Sequence, residues 1–186
     1  MKSETLIDCL ERSPIIASFS SNDLEYALSS PVEVIFDLKA NIRNVQKNID
    51  LAHGAGKYYF IHIDLAEGIG KDKSAIEYLS ECGVDGIIST RGHLIKFAKE
   101  AGLLTVQRLF ALDTHGVGSI SDLLGNSSPD FIEIMPGVIG KVIEKFSKGS
   151  IPVIAGGLLE TKAEVTEALR NGAIAVSTGM SELWYL

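Results

Sequence analysis

From Pro14 to Gly179 the chain alternates, without a linker or low-complexity tract, between short apolar runs of strand character and stretches whose apolar residues recur at helical spacing. Eight such runs are readable: Pro14–Phe19, Val32–Lys39, Tyr58–Leu65, Val84–Thr90, Leu103–Phe110, Asp130–Met135, Ile151–Leu158 and Ala173–Gly179. Helical stretches lie between them, opened by Asn22 or Asp23 and over 42–54, 74–82, 93–102, 139–148 and 161–172, with a short, weak one over Gly116–Gly125. Another short helix, over Glu4–Glu11, precedes the first run. Crossovers of one hand lay successive strands parallel, and eight of them close into an α/β (β/α)8 barrel more naturally than they extend an open sheet. Such barrels typically need about 250 residues. With 186, this chain is predicted to be a single TIM-barrel-like domain with shortened helices, and Ser181–Leu186 leaves room for one or two turns after the eighth strand.

Bulk properties narrow the function classes. A hydrophobic share of 46% against 22% charged residues suits one sizeable core. No apolar run approaches the ~20 residues of a membrane span, and Met1-Lys-Ser-Glu-Thr5 lacks the basic start and apolar stretch of a signal peptide, so a cytoplasmic protein is expected. Cys9 and Cys82 show no paired spacing and are read as reduced packing residues. A net charge of −7 and a pI near 5.1 exclude a surface that is basic throughout, so any nucleic-acid contact requires a local patch.

The last two strands carry the clearest ligand signal. Ile151-Pro-Val-Ile-Ala-Gly-Gly-Leu158 and Ala173-Ile-Ala-Val-Ser-Thr-Gly179 both end in small residues, joined by a helix that Thr161-Lys-Ala-Glu164 opens as a capping box. At Gly156, Gly157, Thr178 and Gly179 no bulky side chain shields the backbone N–H groups, and the loops after strands seven and eight are where such barrels commonly seat a phosphate. The bland alternative is that these glycines only end strands or permit turns.

Charged residues in the inward register would converge on the same mouth. In the second run Val34, Phe36 and Leu38 are read as outward, with Glu33, Ile35, Asp37 and Lys39 facing in. In the third, Tyr59, Ile61, Ile63 and Leu65 face the helices while Phe60, His62 and Asp64 face in, and in the sixth Ile132 and Ile134 face out and Glu133 in. Of the neighbours Gln107 and Arg108 one must point inward, and periodicity does not say which. Asp37, Asp64 and Glu133 can serve as acids or bases, accept hydrogen bonds from a polyol, or be neutralised by Lys39, Arg91 and Arg108 in structural pairs; the three readings stay open. His62 reads as an interior histidine and His115 as loop chemistry, while a metal held by His62, Asp64 and Glu133 is a signal of low specificity.

Phe60-Ile-His-Ile-Asp-Leu-Ala-Glu-Gly68, Asp85-Gly-Ile-Ile-Ser-Thr90, Gln107-Arg-Leu-Phe110, Pro129-Asp-Phe-Ile-Glu-Ile-Met-Pro-Gly137, Ile154-Ala-Gly-Gly157 and Ala175-Val-Ser-Thr178, with Glu182-Leu-Trp184 trailing, carry a further signal. Together, in order and over nearly the whole chain, they closely resemble the glycerol uptake operon antiterminator regulatory protein family. The resemblance implies a compact TIM-barrel-like protein that responds to glycerol 3-phosphate and acts on leader mRNA to prevent transcription termination. Carried onto this chain, it makes the Gly156-Gly157 and Thr178-Gly179 loops the phosphate cradle. Asp37, Lys39, Asp64, Arg91, Arg108 and Glu133 are the candidate polar contacts to the ligand. Arg91 stands where a lysine is expected after Ser-Thr, which preserves charge but changes hydrogen-bond geometry.

A regulator of this kind needs no cofactor, metal or catalytic residue, whereas the alternative, a small barrel enzyme acting on a phosphorylated three-carbon substrate, needs a committed acid or base. The glycine-bearing loops Ala66–Asp72 and Asp113–Ser121 are candidates for a movable element. For RNA, Lys141, Lys145 and Lys148 fall on one side of a helix, and Arg91, Lys96 and Lys99 form a second basic cluster that a homo-oligomer would bring to the first. The plainer reading is that these lysines solvate exposed helix faces.

Overall fold

Eight parallel strands pair in chain order and close on themselves: β1 (Ile15–Phe19), β2 (Val34–Asp37), β3 (Tyr58–His62), β4 (Gly86–Ser89), β5 (Leu104–Phe110), β6 (Phe131–Met135), β7 (Val153–Gly156) and β8 (Ala175–Thr178), with β8 returning to β1. The structure is a computed structural model that describes residues 3–20, 23–111 and 124–186. Helices α1 (Ser3–Arg12), α2 (Leu24–Ser29), α3 (Val45–Gly54), α4 (Lys73–Glu81), α5 (Gly92–Glu100), α6 (Gly140–Ser147) and α7 (Lys162–Arg170) are each no longer than 10 residues, as the short chain demands. The chain after β8 forms a 3-10 turn over Ser181–Tyr185. The helix expected over Gly116–Gly125 and the loop expected over Asp113–Ser121 fall almost wholly outside the described residues.

Two apolar layers hold the barrel. Inside it, Ile16, Val34, Phe36, Phe60, Ile88, Val106, Phe131 and Ile154 pack together, and Leu6, Cys9 and Leu10 from α1 complete the same cluster. The amphipathic α1 thus closes the end at which the strands begin, leaving the other end for ligand chemistry. Burial and a hydrogen bond to Glu33 push the Cys9 thiol up to about 12, which suits a packing residue rather than a nucleophile. The outer layer, between strands and helices, contains Ala17, Ile35, Tyr59, Ile61, Ile132, Ile134 and Val176 against Ile49, Leu79, Leu94, Ile143 and Val165.

The inward register of β3 and β6 is the expected one, but β2 is inverted. Val34 and Phe36 belong to the inner cluster, where Phe36 meets Phe60 at a ring separation of 5.4 Å, and Ile35 belongs to the outer layer. Asp37 therefore points away from the interior and accepts a hydrogen bond from the Tyr59 hydroxyl. Val34, Ile35 and Phe36 make this strand apolar on both faces, so hydropathy does not fix its register. A single acidic residue was a poor guide because the outer layer satisfies it. In β5, Arg108 shares the inward parity of Leu104 and Val106, while Gln107 faces out and accepts from Ser127. β3 ends at His62, three residues earlier than its apolar pattern, because Ile63–Leu65 turns as a 3-10 helix.

Candidate functional site

At the mouth where the strands end, β1, β5, β6, β7 and β8 surround a cavity of about 200 Å³ lined by Ser18, Leu38, Arg108, Glu133, Met135, Gly157, Leu158, Leu159, Glu160, Ser177, Thr178, Gly179 and Met180. Its floor is charged. Glu133 is fully buried; one carboxylate oxygen accepts from Arg108 Nε and the other from Ser177 Oγ, both at 2.5 Å. A side chain at Gly156 would collide with this arrangement, since its Cβ would lie 2.6 Å from Glu133 Oε1 and 2.7 Å from Ser177 Oγ. Gly156 thus underlies the cavity, while Gly157, Thr178 and Gly179 line it.

The rim is built from the two glycine-bearing loops. Gly157 turns with φ +72°, a left-handed conformation that glycine adopts at little cost and that aims the β7 loop over the mouth. Thr178 braces this loop against the next one: its hydroxyl donates to the Leu159 carbonyl at 2.8 Å and accepts from the Met180 N–H at 3.1 Å. Trp184, buried in the 3-10 turn, donates to the Thr178 carbonyl. The capping box predicted at Thr161 is present and starts α7 just beyond the loop. Small residues, fixed backbone and one buried arginine make a site suited to a small anion bearing further polar groups.

The other predicted polar contacts sit elsewhere. Asp37, turned to the outer layer, does not line the cavity, and burial raises its pKa against hydrogen bonds from Tyr59 and the Lys39 N–H. Lys39 is exposed and pairs with Glu67 at 3.4 Å. Asp64 accepts from Ser89 Oγ, Thr90 N and Thr90 Oγ1 and so ties the β3 loop to the β4 loop, with Arg91 Nε 3.9 Å away. The loop 66–72 is also fastened: Glu67 N donates to the Ala40 carbonyl, and Lys71 Nζ donates to the carbonyls of Ala66 and Ile69.

Burial alone would raise the Asp64 pKa, but contacts from His62, Thr90 and Ser89 outweigh it and hold the carboxyl well below its usual range. Because the folded value is the lower one, this stabilisation is complete above the unfolded pKa of about 3.9 and is lost as the pH falls below it. Asp64→Asn is expected to flatten the acid limb of the stability curve, measured by urea unfolding at pH 2–6. An unchanged acid limb would show that the carboxylate contributes no such linkage. His62 is buried with Nε2 3.5 Å from Asp64 Oδ2, beyond a good hydrogen bond, and Glu133 is engaged by Arg108. Among the described residues, no three His, Cys, Asp or Glu side chains gather as metal ligands.

Residues 15–184 match the family described as glycerol-3-phosphate responsive antiterminator. The chain belongs to this antiterminator family. It is 36% identical to a glycerol uptake operon antiterminator regulatory protein from Listeria monocytogenes, with a TM-score of 0.88 over 92% of this chain and 95% of that one. An antiterminator-related protein from Thermotoga maritima is 31% identical, with a TM-score of 0.82 over 91% of this chain and 96% of that one. The uncharacterized Escherichia coli protein YgcP is 35% identical over 187 residues, 97% of this chain and 96% of that protein.

In this member of the antiterminator family, Lys141 and Lys145 lie exposed on α6 and Lys148 just beyond it. Lys148 is paired with Glu144 at 2.8 Å, and Lys99 of the second cluster is drawn to the Ser128 carbonyl and to Asp130 at 3.5 Å. No helix among the described residues is long and apolar enough to cross a membrane. Sequence reasoning missed Ser18 and Ser177, along with Leu38, Met135, Leu158, Leu159, Glu160 and Met180, as cavity residues. The first two had a readable signal: each is polar in an apolar strand and shares parity with an inward residue, Ile16 or Ala175.

Proposed function

We propose that this chain is a non-catalytic regulator that binds glycerol 3-phosphate and acts on leader mRNA to prevent transcription termination of glycerol uptake genes. The observation that carries this reading is the mouth cavity, with its buried Arg108–Glu133 floor and its rim of Gly157 and Gly179 loops, in a chain of the antiterminator family. At about 200 Å³ it is smaller than the ~300–1,000 Å³ typical of ligand pockets and fits a three-carbon metabolite. The carboxylates favour recognition over turnover. Glu133 is held in its buried ion pair with Arg108, Asp64 is too weakly basic to take a proton near neutrality, and Asp37 faces the wrong layer. Calorimetry is expected to rank glycerol 3-phosphate above inorganic phosphate and both above glycerol; multiple turnovers of glycerol 3-phosphate or a close analogue would instead establish an enzyme.

With a net charge of −7, the RNA contact must be local, and Lys141 and Lys145 supply exposed charge on one helix face. If these lysines meet RNA phosphates, log affinity falls by roughly 0.7–0.9 per log unit of salt for each contact. Lys141→Glu/Lys145→Glu is therefore expected to weaken leader-RNA binding and reduce its salt slope by about two contacts' worth. Binding measured at two salt concentrations, with and without glycerol 3-phosphate, checks this. By linkage, whatever factor the ligand adds to RNA affinity, RNA must add to ligand affinity. Equal slopes for wild type and variant would remove α6 from the interface.

A further inference from the structure

We infer that Ser18 reads a hydroxyl group of the cavity's ligand, so that the site selects a small hydroxylated phosphate monoester rather than any phosphate. The inference rests on the reading of the same cavity as a glycerol 3-phosphate site. Ser18 lines the cavity from β1 and is only 7% exposed, and its Oγ is fully buried without a hydrogen-bond partner. Buried hydroxyls are ordinarily partnered, and an unmade bond there is a standing cost that a ligand hydroxyl can remove.

The surroundings say which end of the ligand this is. Ser18 lies beside the β8 loop, its carbonyl oxygen 3.6 Å from where a Cβ on Gly179 would stand. Gly179 and Leu158 are exposed and Gly157 half-buried, whereas Ser18, Ser177, Arg108 and Glu133 are buried. A dianion therefore belongs at the wet, glycine-bearing rim, and the three-carbon stem points toward the buried floor. That floor offers what a carbinol needs. Glu133 has accepted two hydrogen bonds of the roughly four a carboxylate can take. Among the described residues Arg108 bonds Glu133 through Nε alone, which leaves its terminal nitrogens as donors, and Ser18 Oγ can both donate and accept. Leu38 and Met135 cover the remaining wall with apolar surface that favours the carbon stem.

The test is calorimetry on the full chain with three probes: glycerol 3-phosphate, n-propyl phosphate, which lacks the hydroxyls, and inorganic phosphate. Wild type should prefer glycerol 3-phosphate over n-propyl phosphate. Ser18→Ala should cut that preference about five- to tenfold, the scale of one hydrogen bond, while leaving inorganic phosphate binding unchanged. Ser18→Ala removes one oxygen from a position with no hydrogen bond to lose, and an unchanged thermal midpoint confirms that the variant is folded. An unaltered preference in the variant, an equal loss for all three probes, or no preference in wild type overturns the role of Ser18 while leaving an anion site in place. Binding of none of the three probes by wild type overturns the ligand reading itself, and Ser18's role with it.

Discussion

Removal of the Glu133 carboxylate is expected to destabilise the barrel by about 3–5 kcal/mol, the loss seen when one partner of a buried ion pair is deleted. Glu133 is fully buried, its partner Arg108 is 7% exposed, and the described structure provides no second carboxylate for that guanidinium. In Glu133→Ala the buried arginine loses the one carboxylate it pairs with among the described residues, and Ser177 loses the acceptor of its hydroxyl. Against a usual total of about 5–15 kcal/mol, the loss would be readily visible as a lower urea midpoint. Glu133→Gln separates charge from shape: its carbonyl can still accept from Arg108, so any remaining destabilisation measures the uncompensated charge. The double variant Arg108→Met/Glu133→Leu should recover much of the stability, because apolar replacement of a buried pair is often close to neutral. It should nevertheless lose ligand affinity, which distinguishes a pair retained for binding from one retained for folding. A Glu133→Ala midpoint within experimental error of wild type would show that the pair contributes nothing to the fold.

How far the chain can be read without its coordinates depends on how strand polarity is distributed. The barrel was legible because strand runs alternate with capped helical stretches, and the capping box at Thr161 forms where its spacing places it. The direction of Glu133 was legible because Ile132 and Ile134 flank it as unambiguous outer-layer residues. Asp37 was misread for the opposite reason: Val34, Ile35 and Phe36 bury on both faces, and the polar marker that seemed to settle the register is satisfied by Tyr59, a residue 22 positions away. Asp64 shows a further limit. Its inward parity was readable, but the turn over Ile63–Leu65 directs it to Ser89 and Thr90, where it braces two loops instead of entering the cavity. A period-two pattern carries no information once the strand has ended.

Gly157→Val is expected to weaken glycerol 3-phosphate binding by roughly 1–3 kcal/mol, or about 5- to 150-fold, the scale of charge-assisted hydrogen bonds lost at an anion site. Two physical effects contribute. At φ +72° a β-branched residue is strained, and the new Cβ would lie 2.6 Å from Met135 Cε, so the β7 loop must shift or Met135 must move into the cavity it lines. Either response displaces the rim. Gly179→Ala provides the control because among the described residues its Cβ meets only the Ser18 carbonyl oxygen, at an ordinary 3.6 Å, and no left-handed turn is required there. That variant should fold like wild type, so its effect on affinity reports crowding at the anion position without backbone strain. Parallel calorimetry and thermal unfolding separate the two contributions: Gly157→Val should lower both affinity and midpoint, Gly179→Ala affinity alone. If Gly157→Val folds normally and binds glycerol 3-phosphate as wild type does, the phosphate does not sit on these loops, and the Arg108–Glu133 pair is left as a structural feature of the barrel's interior.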